Sequence, residues 1–361
     1  MSERPATHAP DPVNMTCPAP IPERARVLLG HGSGGQLSAA LMRDVIGPAL
    51  AGKGGSETAG PLNDAAIVDV AGSRLAFTTD SFVVSPLEFP GGDIGELAVN
   101  GTVNDLAMMG AQPLALSLAY VIEEGLPVED LRRITESVAR AADRAGVRVV
   151  TGDTKVVGRG AADGLFVNTA GIGLVAEGVA PAADRAGAGD IVILSGAIGL
   201  HGIAIMSVRE GLDFEVEIAS DTQPLNVLVA AILAACPEVR VLRDPTRGGL
   251  ASALNEIAAA SRVGIELNED AIPIPGPVRA ACEMLGLDPL HVANEGKLVA
   301  IVPAAFAPAV IAAMRALPEG AGAVEIGAVV ADHPAMVTMR TIVGSQRIVD
   351  MLVGEQLPRI C

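Results

Sequence analysis

The sequence contains no tryptophan, and aromatic residues make up only 2% of its 361 residues. A core must therefore be built from aliphatic side chains, which are available because 50% of the residues are hydrophobic. No apolar run is long enough to cross a bilayer. Basic residues are scarce, 25 against 42 acidic ones, and the formal net charge is -17. This charge argues against nucleic acid and against anionic membrane surfaces as partners.

Cysteine is also rare. The chain has four, at positions 17, 236, 282 and 361, and their spacing fits neither a metal site nor a disulfide framework. The first residues lack the charged-then-apolar pattern of a secretory signal. We therefore expect a cytoplasmic protein with reduced thiols.

The length favours two domains. A proline-rich start predicts a disordered leader, in which Cys17 is incidental. Strands and helices alternate in both halves, and a polar, glycine-containing segment, 182–190, marks the boundary. The predicted divisions are a leader (1–24), an N-terminal ATP-binding and dimerisation domain (25–181), a C-terminal α/β domain (182–340) and a final segment and tail (341–361).

Several elements can be predicted from periodicity. An apolar stripe predicts a helix over residues 128–145, and Gly146 is expected to end it. A strand is predicted over 165–175 and a short strand over 147–150. The second of these is expected to stop before Thr151, so that Asp153 and Lys155 follow the strand end.

Four aspartates, Asp64, Asp80, Asp105 and Asp153, flank apolar strands or lie on an apolar helix. If they converged without a cation, each close pair would cost on the order of 4 kcal/mol. Convergence therefore requires a cation such as Mg²⁺, which prefers oxygen ligands and nucleotide phosphates. The spacing alone does not establish convergence, and each aspartate by itself is better explained as a helix cap or a surface charge.

Other polar positions allow two interpretations. The loop containing Gly32, Gly34 and Gly35 lets backbone N–H groups approach an anion, but a simple hinge explains it as well. The loop before the helix at Leu250 carries Arg247 and suits either phosphate binding or plain helix capping. Asn104 lies on an apolar helix, where it meets either a ligand or a structural hydrogen-bond network.

The sequence ends on Cys361, after a tail in which Gly354 gives flexibility and Arg359 places a cation near the sulfur. Such an end is consistent with a mobile thiol that carries a group to an active site. A frayed, redundant terminus is the alternative.

The motifs, taken in order, resemble the HypE family, the carbamoyl dehydratases of [NiFe]-hydrogenase maturation. The resemblance covers residues 26–361 and is carried by seven segments: Phe77–Ser81, Pro90–Gly95, Gly101–Leu106, Thr151–Lys155, Arg243–Gly249, Asn294–Lys297 and Pro358–Cys361.

The resemblance implies a mixed α/β (α+β), aminoimidazole-ribonucleotide-synthetase-like fold of two domains. The N-terminal domains of a homodimer would pair into a β-barrel, with a flexible C-terminal tail. It implies that a partner carbamoyltransferase loads Cys361 and that ATP with Mg²⁺ drives dehydration of the carbamoyl group to a thiocyanate. The cyano group would then pass to an iron-carrying maturation scaffold complex, as a ligand of the hydrogenase iron.

The matching positions imply roles for individual residues. Cys361, Glu295 and Lys155 would be catalytic, although a salt bridge from Glu295 to Lys297 is an alternative. Nucleotide and metal contacts would come from Asp64, Asp80, Asp105 and Asp153, with Asn104, Gly32, Gly34 and Gly35 holding the nucleotide.

The chain departs from the family pattern at three places. Asn63 precedes Asp64 where Asp-Asp is common, Leu200 precedes His201 where Asp-His is expected, and Asn100 replaces a common cysteine. The first puts one metal ligand in doubt, and the second weakens His201 as a candidate.

Two alternative functions stay open at this point. One is another ATP-dependent synthetase of the same fold, such as a selenophosphate or aminoimidazole-ribonucleotide synthetase. The other is a non-catalytic carrier or scaffold.

Overall fold

The computed structural model describes residues 26–50, 63–212, 217–352, 354 and 359–361. The predicted leader, Cys17 and part of the tail lie outside these residues. Within the described part of the chain, no helix combines the length and apolar character needed to cross a membrane.

The first half forms one mixed sheet backed by helices. Its elements are α1 (Gln36–Leu41), a π turn (Met42–Ile46), α2 (Gly47–Leu50), β1 (Ala66–Val70), β2 (Ser73–Phe82), β3 (Glu88–Phe89), β4 (Gly92–Asp93), α3 (Ile94–Met108), β5 (Ala111–Glu123), α4 (Val128–Ala145), β6 (Arg148–Val157) and β7 (Leu165–Val175). The main sheet has the order β1-β2-β7-β5-β6 and is antiparallel except between β5 and β6.

Local sequence explains the two long helices of this half, α3 and α4. Asp93 caps α3 by accepting hydrogen bonds from the N–H groups of Gly95 (2.7 Å) and Glu96 (3.0 Å). Helix α4 spans the predicted residues, and Gly146 ends it with a φ of 69°. The predicted helix and the predicted strand over 165–175 are both confirmed.

One face of the N-terminal sheet is not covered by any of the described residues. Helix α3 packs on the inner face, where Phe82, Ile94 and Leu97 are buried. On the outer face, Phe77, Ile172 and Leu174 keep 47%, 40% and 42% of their surface exposed. An apolar sheet face usually packs against another apolar layer, and the part of the chain that the structure describes supplies none on this side.

The second half has a sheet covered on both faces. Its elements are β8 (Asp190–Leu194), α5 (Leu200–Arg209), α6 (Asn226–Ala235), β9 (Val241–Arg243), α7 (Gly249–Ser261), β10 (Gly264–Asn268), α8 (Gly276–Leu285), β11 (Val299–Pro303), α9 (Ala307–Arg315), β12 (Val324–Val330), β13 (Met336–Arg340) and β14 (Gln346–Ile348). The sheet order is β14-β13-β10-β12-β8-β11-β9, with β10 and β13 parallel.

Alternation along β8 shows how the two faces are filled. Val192 and Leu194 join the core beneath α7, whereas Ile193 joins the core under α6 and α9. The chain passes from the first sheet to the second between Val175 and Asp190. Strand β14 pairs with β13 and so extends the second sheet into residues 341–361, the predicted final segment and tail.

Candidate active site

A cavity of about 270 Å³ lies between the two halves. From the first half, the end of β2 contributes Thr78 and Asp80, and α3 contributes Asp105. The second half closes the cavity with the loop after β9 and with the first turns of α7. The walls are therefore polar and come from elements far apart in sequence.

Three carboxylates meet in this cavity. Asp64, Asp105 and Asp244 each offer an oxygen within 4.8 Å of the others. Burial is the main cause that raises the pKa of each carboxyl. The charge of Asp64 adds to the rise for Asp105 and Asp244, and the charge of Glu256 adds to the rise for Asp64. The pKa of Asp64 rises to about 6 and that of Asp244 to about 8, while that of Asp105 is well above its usual value. This acidic cluster suits a divalent cation with oxygen ligands.

Cations of the protein border the cluster. Arg243 Nη1 lies 2.9 Å from Asp64 Oδ1, and Arg243 also pairs with Glu256. Arg247 lies on the other side, where it partly offsets the burial that raises the pKa of Asp80. Helix α7 begins at Gly249 on the cavity wall, so its first N–H groups and positive dipole end favour a phosphate there.

The tail enters the same cavity in its own chain. Cys361 lines it together with Glu295 and Arg247, and a second cavity of about 190 Å³ touches Cys361 from the other side. Burial raises the pKa of the Cys361 thiol to about 12, against the opposing effect of Arg247. A thiol in this place is protonated at neutral pH, which makes it a poor nucleophile while it is docked.

Glu295 is buried and faces the cavity. Its Oε1 has no hydrogen-bond partner among the described residues. Burial and the nearby charges of Asp244 and Asp80 raise its pKa. The alternative salt bridge to Lys297 is not formed, because Lys297 Nζ pairs with Asp221 Oδ2 at 3.7 Å. An unpaired buried carboxyl beside Cys361 is suited to proton transfer.

The glycine loop reaches the site only in part. Gly34 lines the main cavity, whereas Gly32 lines the smaller one. A Cβ on Gly34, whose φ is 74°, would lie 2.6 Å from the carbonyl oxygen of Arg247. Gly35 packs instead against Leu352. The loop therefore needs glycine for close approach to the loop that follows β9.

Asn104 is not on the cavity wall. Its Nδ2 donates to the carbonyl oxygens of Gln223 (3.1 Å) and Glu295 (3.2 Å), and its Oδ1 accepts from the N–H of Leu225 (2.8 Å). Its amide is thus used in joining the two halves. Of the two interpretations open from the sequence, this geometry fits the structural network.

Asp153 and Lys155 lie away from the acidic cluster. The predicted end of their strand at residue 150 is wrong, since β6 continues to Val157. Asp153 lies opposite Ala119 on β5, which lies opposite Asn168 on β7, and Asn168 lies opposite Ser81 on β2. Three strand spacings amount to roughly 14 Å, which no aspartate side chain spans.

The sheet face separates them as well. Asp153 shares the outer face with Ser81, whereas Asp80 points to the inner face. Both Asp153 and Lys155 are exposed and pair with each other at 2.7 Å, and the hydrogen bond from Lys155 lowers the pKa of Asp153. Within one chain the structure does not bring these two residues to the site.

Asp244 is the functional candidate that sequence reasoning missed as a ligand. It lies in the loop that was singled out for Arg247 and phosphate binding. Its position directly after strand β9 could have indicated a ligand, because most of the other candidate aspartates were chosen for positions that flank strands.

Comparison with known proteins agrees with this architecture. Family models of AIR synthase related proteins match the chain, the N-terminal domain over residues 62–175 and the C-terminal domain over residues 187–339. Carbamoyl dehydratase HypE of Azotobacter vinelandii is 55% identical over 331 residues, which are 92% of this chain and 96% of the relative.

Two solved structures are similar over most of their length. A HypE–HypF complex has a TM-score of 0.80 at 47% identity, covering 86% of this chain and 100% of the matched chain. HypE in complex with ATP has a TM-score of 0.78 at 46% identity, covering 93% of this chain and 100% of the matched chain.

Proposed function

Because the chain belongs to the HypE family of carbamoyl dehydratases, which act in hydrogenase maturation, we propose that it dehydrates a carbamoyl group carried on Cys361 to a thiocyanate. ATP is the activating reagent, and the product supplies the cyanide ligand of a [NiFe]-hydrogenase iron. One observation carries the proposal: Cys361 lies in the same cavity as the acidic cluster. A synthetase of the same fold with a diffusible substrate has no need of a tail there, and a mere carrier has no need of the cluster.

The acidic cluster fits Mg²⁺ as the partner of ATP. Asp64, Asp105 and Asp244 present carboxylate oxygens close together, and the pKa values of all three are raised, as expected where a positive charge is required. Bound Mg²⁺ would neutralise phosphate charge. Arg247 and the N-terminal N–H groups of α7 hold the transferred phosphoryl group beside Cys361.

Phosphorylation solves the chemical difficulty of this reaction. The thiocarbamate oxygen attacks the terminal phosphorus of ATP, and ADP leaves. As the oxygen is phosphorylated, the nitrogen loses the first of its two protons and becomes an imine. The C–O bond then breaks with phosphate as the leaving group, and the second N–H proton is removed to complete the C≡N bond. Glu295 accepts that proton, since a raised pKa makes its ionised form a stronger base. The closed cavity keeps water from the phosphorylated intermediate.

The reaction can be tested on the tail itself. After carbamoylation of Cys361 and addition of Mg-ATP, mass spectrometry of the C-terminal peptide should show loss of one water from the carbamoyl adduct. Omission of ATP is the control and should leave the adduct intact. A carbamoyl adduct that persists with Mg-ATP present would falsify the assigned reaction.

We further propose that two chains pair through the outer face of the N-terminal sheet. The exposed apolar residues Phe77, Ile172 and Leu174 lie on that face and would be covered by a second copy. Asp153 and Lys155 lie on the same face. They can serve a nucleotide pocket only across such an interface. Asp153 would then contact the metal or the nucleotide, and Lys155 would be a catalytic cation.

A mixing experiment tests this arrangement. Lys155→Ala and Cys361→Ala proteins should each be inactive. An equimolar mixture that has exchanged subunits should regain about a quarter of the unaltered activity, because about half of its dimers are mixed and each of these has one working site of two. Each mixed dimer then has one chain that supplies the thiol and another that supplies the lysine. Activity of the Lys155→Ala protein alone would remove Lys155 from catalysis, and an inactive mixture of confirmed mixed dimers would exclude action across the interface.

The partners follow from the same reasoning. The solved HypE–HypF complex supports a second maturation protein as a partner of this chain, and we propose that it is the carbamoyltransferase. A protonated thiol in the docked state means that Cys361 accepts the carbamoyl group only after leaving the cavity. An iron-carrying scaffold complex then receives the cyano group, in the cytoplasm.

A further inference from the structure

The last three residues of the tail lie in a groove whose contacts the reaction itself does not use. We propose that His201, Arg209 and Asp163, with residues 83–85 after β2, form a recognition site for the tail, in which they act as positioning residues for Cys361. The inference rests on the proposed function, because the docked cysteine is assigned as the carrier. We call this set of residues the tail-docking site.

The main chain of the tail is held by hydrogen bonds from the segment that follows β2. The N–H of Val83 donates to the main-chain oxygen of Cys361 at 3.0 Å, and the N–H of Ser85 donates to the carbonyl oxygen of Arg359 at 3.3 Å. The two contacts run in opposite chain directions, as in an antiparallel pair. Main-chain bonds of this kind hold a segment without reading its side chains.

His201 holds the carbonyl group directly before the cysteine. Its Nε2 lies 2.6 Å from the carbonyl oxygen of Ile360, and its Nδ1 lies 2.8 Å from Ser220 Oγ. His201 is completely buried, and burial lowers its pKa, so the ring is neutral and carries one N–H. Since a carbonyl oxygen only accepts, that hydrogen is on Nε2, and the Ser220 hydroxyl donates to Nδ1.

Ser220 makes this tautomer the favoured one. Its Oγ accepts from the N–H of Thr222 at 3.2 Å, which leaves its hydroxyl hydrogen for His201. The Ile360 side chain is itself 4% exposed and packs beside Val278 and Cys282. Loss of the His201 donor would leave a buried carbonyl group without its partner.

Arg209 and Asp163 complete the site. Arg209 donates to the carbonyl oxygens of Arg359 and Ser85, so the main-chain oxygens of residues 359, 360 and 361 all have donors. The Arg359 side chain is bound by a different set of contacts from the main chain. Its Nη1 lies 2.5 Å from Asp163 Oδ2, and its Nε donates to the carbonyl oxygen of Val83 at 3.0 Å.

The loop that presents Asp163 is itself held in place. Glu123 accepts hydrogen bonds from the N–H groups of Gly160 (2.5 Å) and Gly164 (2.9 Å), on either side of Asp163. Phe166 adds a ring whose centroid lies 5.9 Å from the guanidinium carbon of Arg359. The tail-docking site thus recognises both a main-chain path and one basic side chain.

The contacts differ in strength, which gives a graded test. The measurement is the rate at which a soluble alkylating reagent modifies Cys361, read by mass spectrometry of the peptide that follows Glu355, so that other thiols do not count. His201→Leu should raise this rate on the order of tenfold, because a buried hydrogen bond is lost. His201→Gln, which keeps a side-chain donor, should restore much of the protection.

Asp163→Asn gives a second variant that leaves the core untouched. The Asp163 side chain is half exposed, so its loss should raise the alkylation rate only about two- to fivefold. Glu129→Gln is the matched control, because it removes another exposed ion pair, 3.3 Å from Arg132 Nε, on α4. It should leave the rate unchanged.

Dehydration measured in the same variants separates the two proposals. Docking predicts that His201→Leu slows dehydration of the carbamoylated tail and leaves Mg-ATP binding and carbamoylation intact. Unchanged alkylation in folded His201→Leu and Asp163→Asn proteins would overturn the tail-docking site, whatever the activity. If the unaltered protein shows no dehydration but the variants are alkylated faster than it is, the tail-docking site is upheld and the proposed reaction is rejected.

Discussion

Replacing Cys361 with alanine is expected to abolish dehydration completely while the fold and Mg-ATP binding persist. The carbamoyl group is carried on this sulfur, and alanine offers no atom to hold it. Among the described residues, the other cysteines, Cys236 and Cys282, are buried in hydrophobic cores away from the cavity, so neither substitutes for it. The measurement is single-turnover conversion of the tail by mass spectrometry, with calorimetry of Mg-ATP binding alongside.

Cys17→Ser is the matched control, since sequence reasoning treats that thiol as incidental, and it should retain full activity. Thiocyanate formed by a Cys361→Ala protein would contradict the assignment of the carrier. Loss of Mg-ATP binding in the same variant would show instead that the tail is part of the nucleotide site.

Replacing Asp244 with asparagine is expected to weaken Mg-ATP binding by at least about 10- to 100-fold, since changes merely adjacent to metal ligands already cost that much. The substitution removes one of three carboxylates whose oxygens lie within 4.8 Å of each other. Calorimetry with Mg-ATP measures the loss. Asp69→Asn, at an exposed position of β1, is the control and should bind normally. Unaltered affinity in the Asp244→Asn protein would exclude this residue from the metal site.

The same cluster predicts how stability depends on pH. In the folded protein, the pKa of Asp64 is about 6 and that of Asp244 about 8, both above the ordinary value of 3.8. Between pH about 4 and 8 the folded cluster therefore binds protons that the unfolded chain has released. Its contribution to the free energy of unfolding accordingly falls as the pH rises through this window.

Thermal unfolding without metal should show this decrease, and saturating Mg²⁺ should offset it at pH 8, because a bound cation takes the place of the protons. The Asp244→Asn protein should show a flatter dependence and should be more stable than the unaltered protein at pH 8 without metal. An equal slope in both proteins would contradict the shared charge of the cluster.

The comparisons confirm the predicted family and the two-domain AIR-synthase-like fold. Both were accessible from the sequence because ordered motifs and local periodicity carry them. Helix α4 was predicted to the residue, since its apolar stripe and the glycine that follows are local signals.

Side-chain convergence was not accessible in the same way. Asp64, Asp105 and Asp244 are separated by up to 180 positions, and only the packing of the two halves brings them together. Asp153 was expected to follow a strand end because the apolar run stops at Val150, whereas pairing with β5 carries the strand on through Thr151 and Gly152. Long-range pairing here outweighs local propensity.

What the sequence determined by itself is the chemistry available: a thiol on the tail, buried carboxylates, and elements able to form two α/β layers. What only the tertiary structure decided is which of these groups meet. It placed Cys361 beside Arg247 and Glu295, gave His201 the tail carbonyl as its partner, and left Asp153 on an outer sheet face. The physical reason is that periodicity is set by neighbours along the chain, whereas a site is set by contacts between residues distant in sequence.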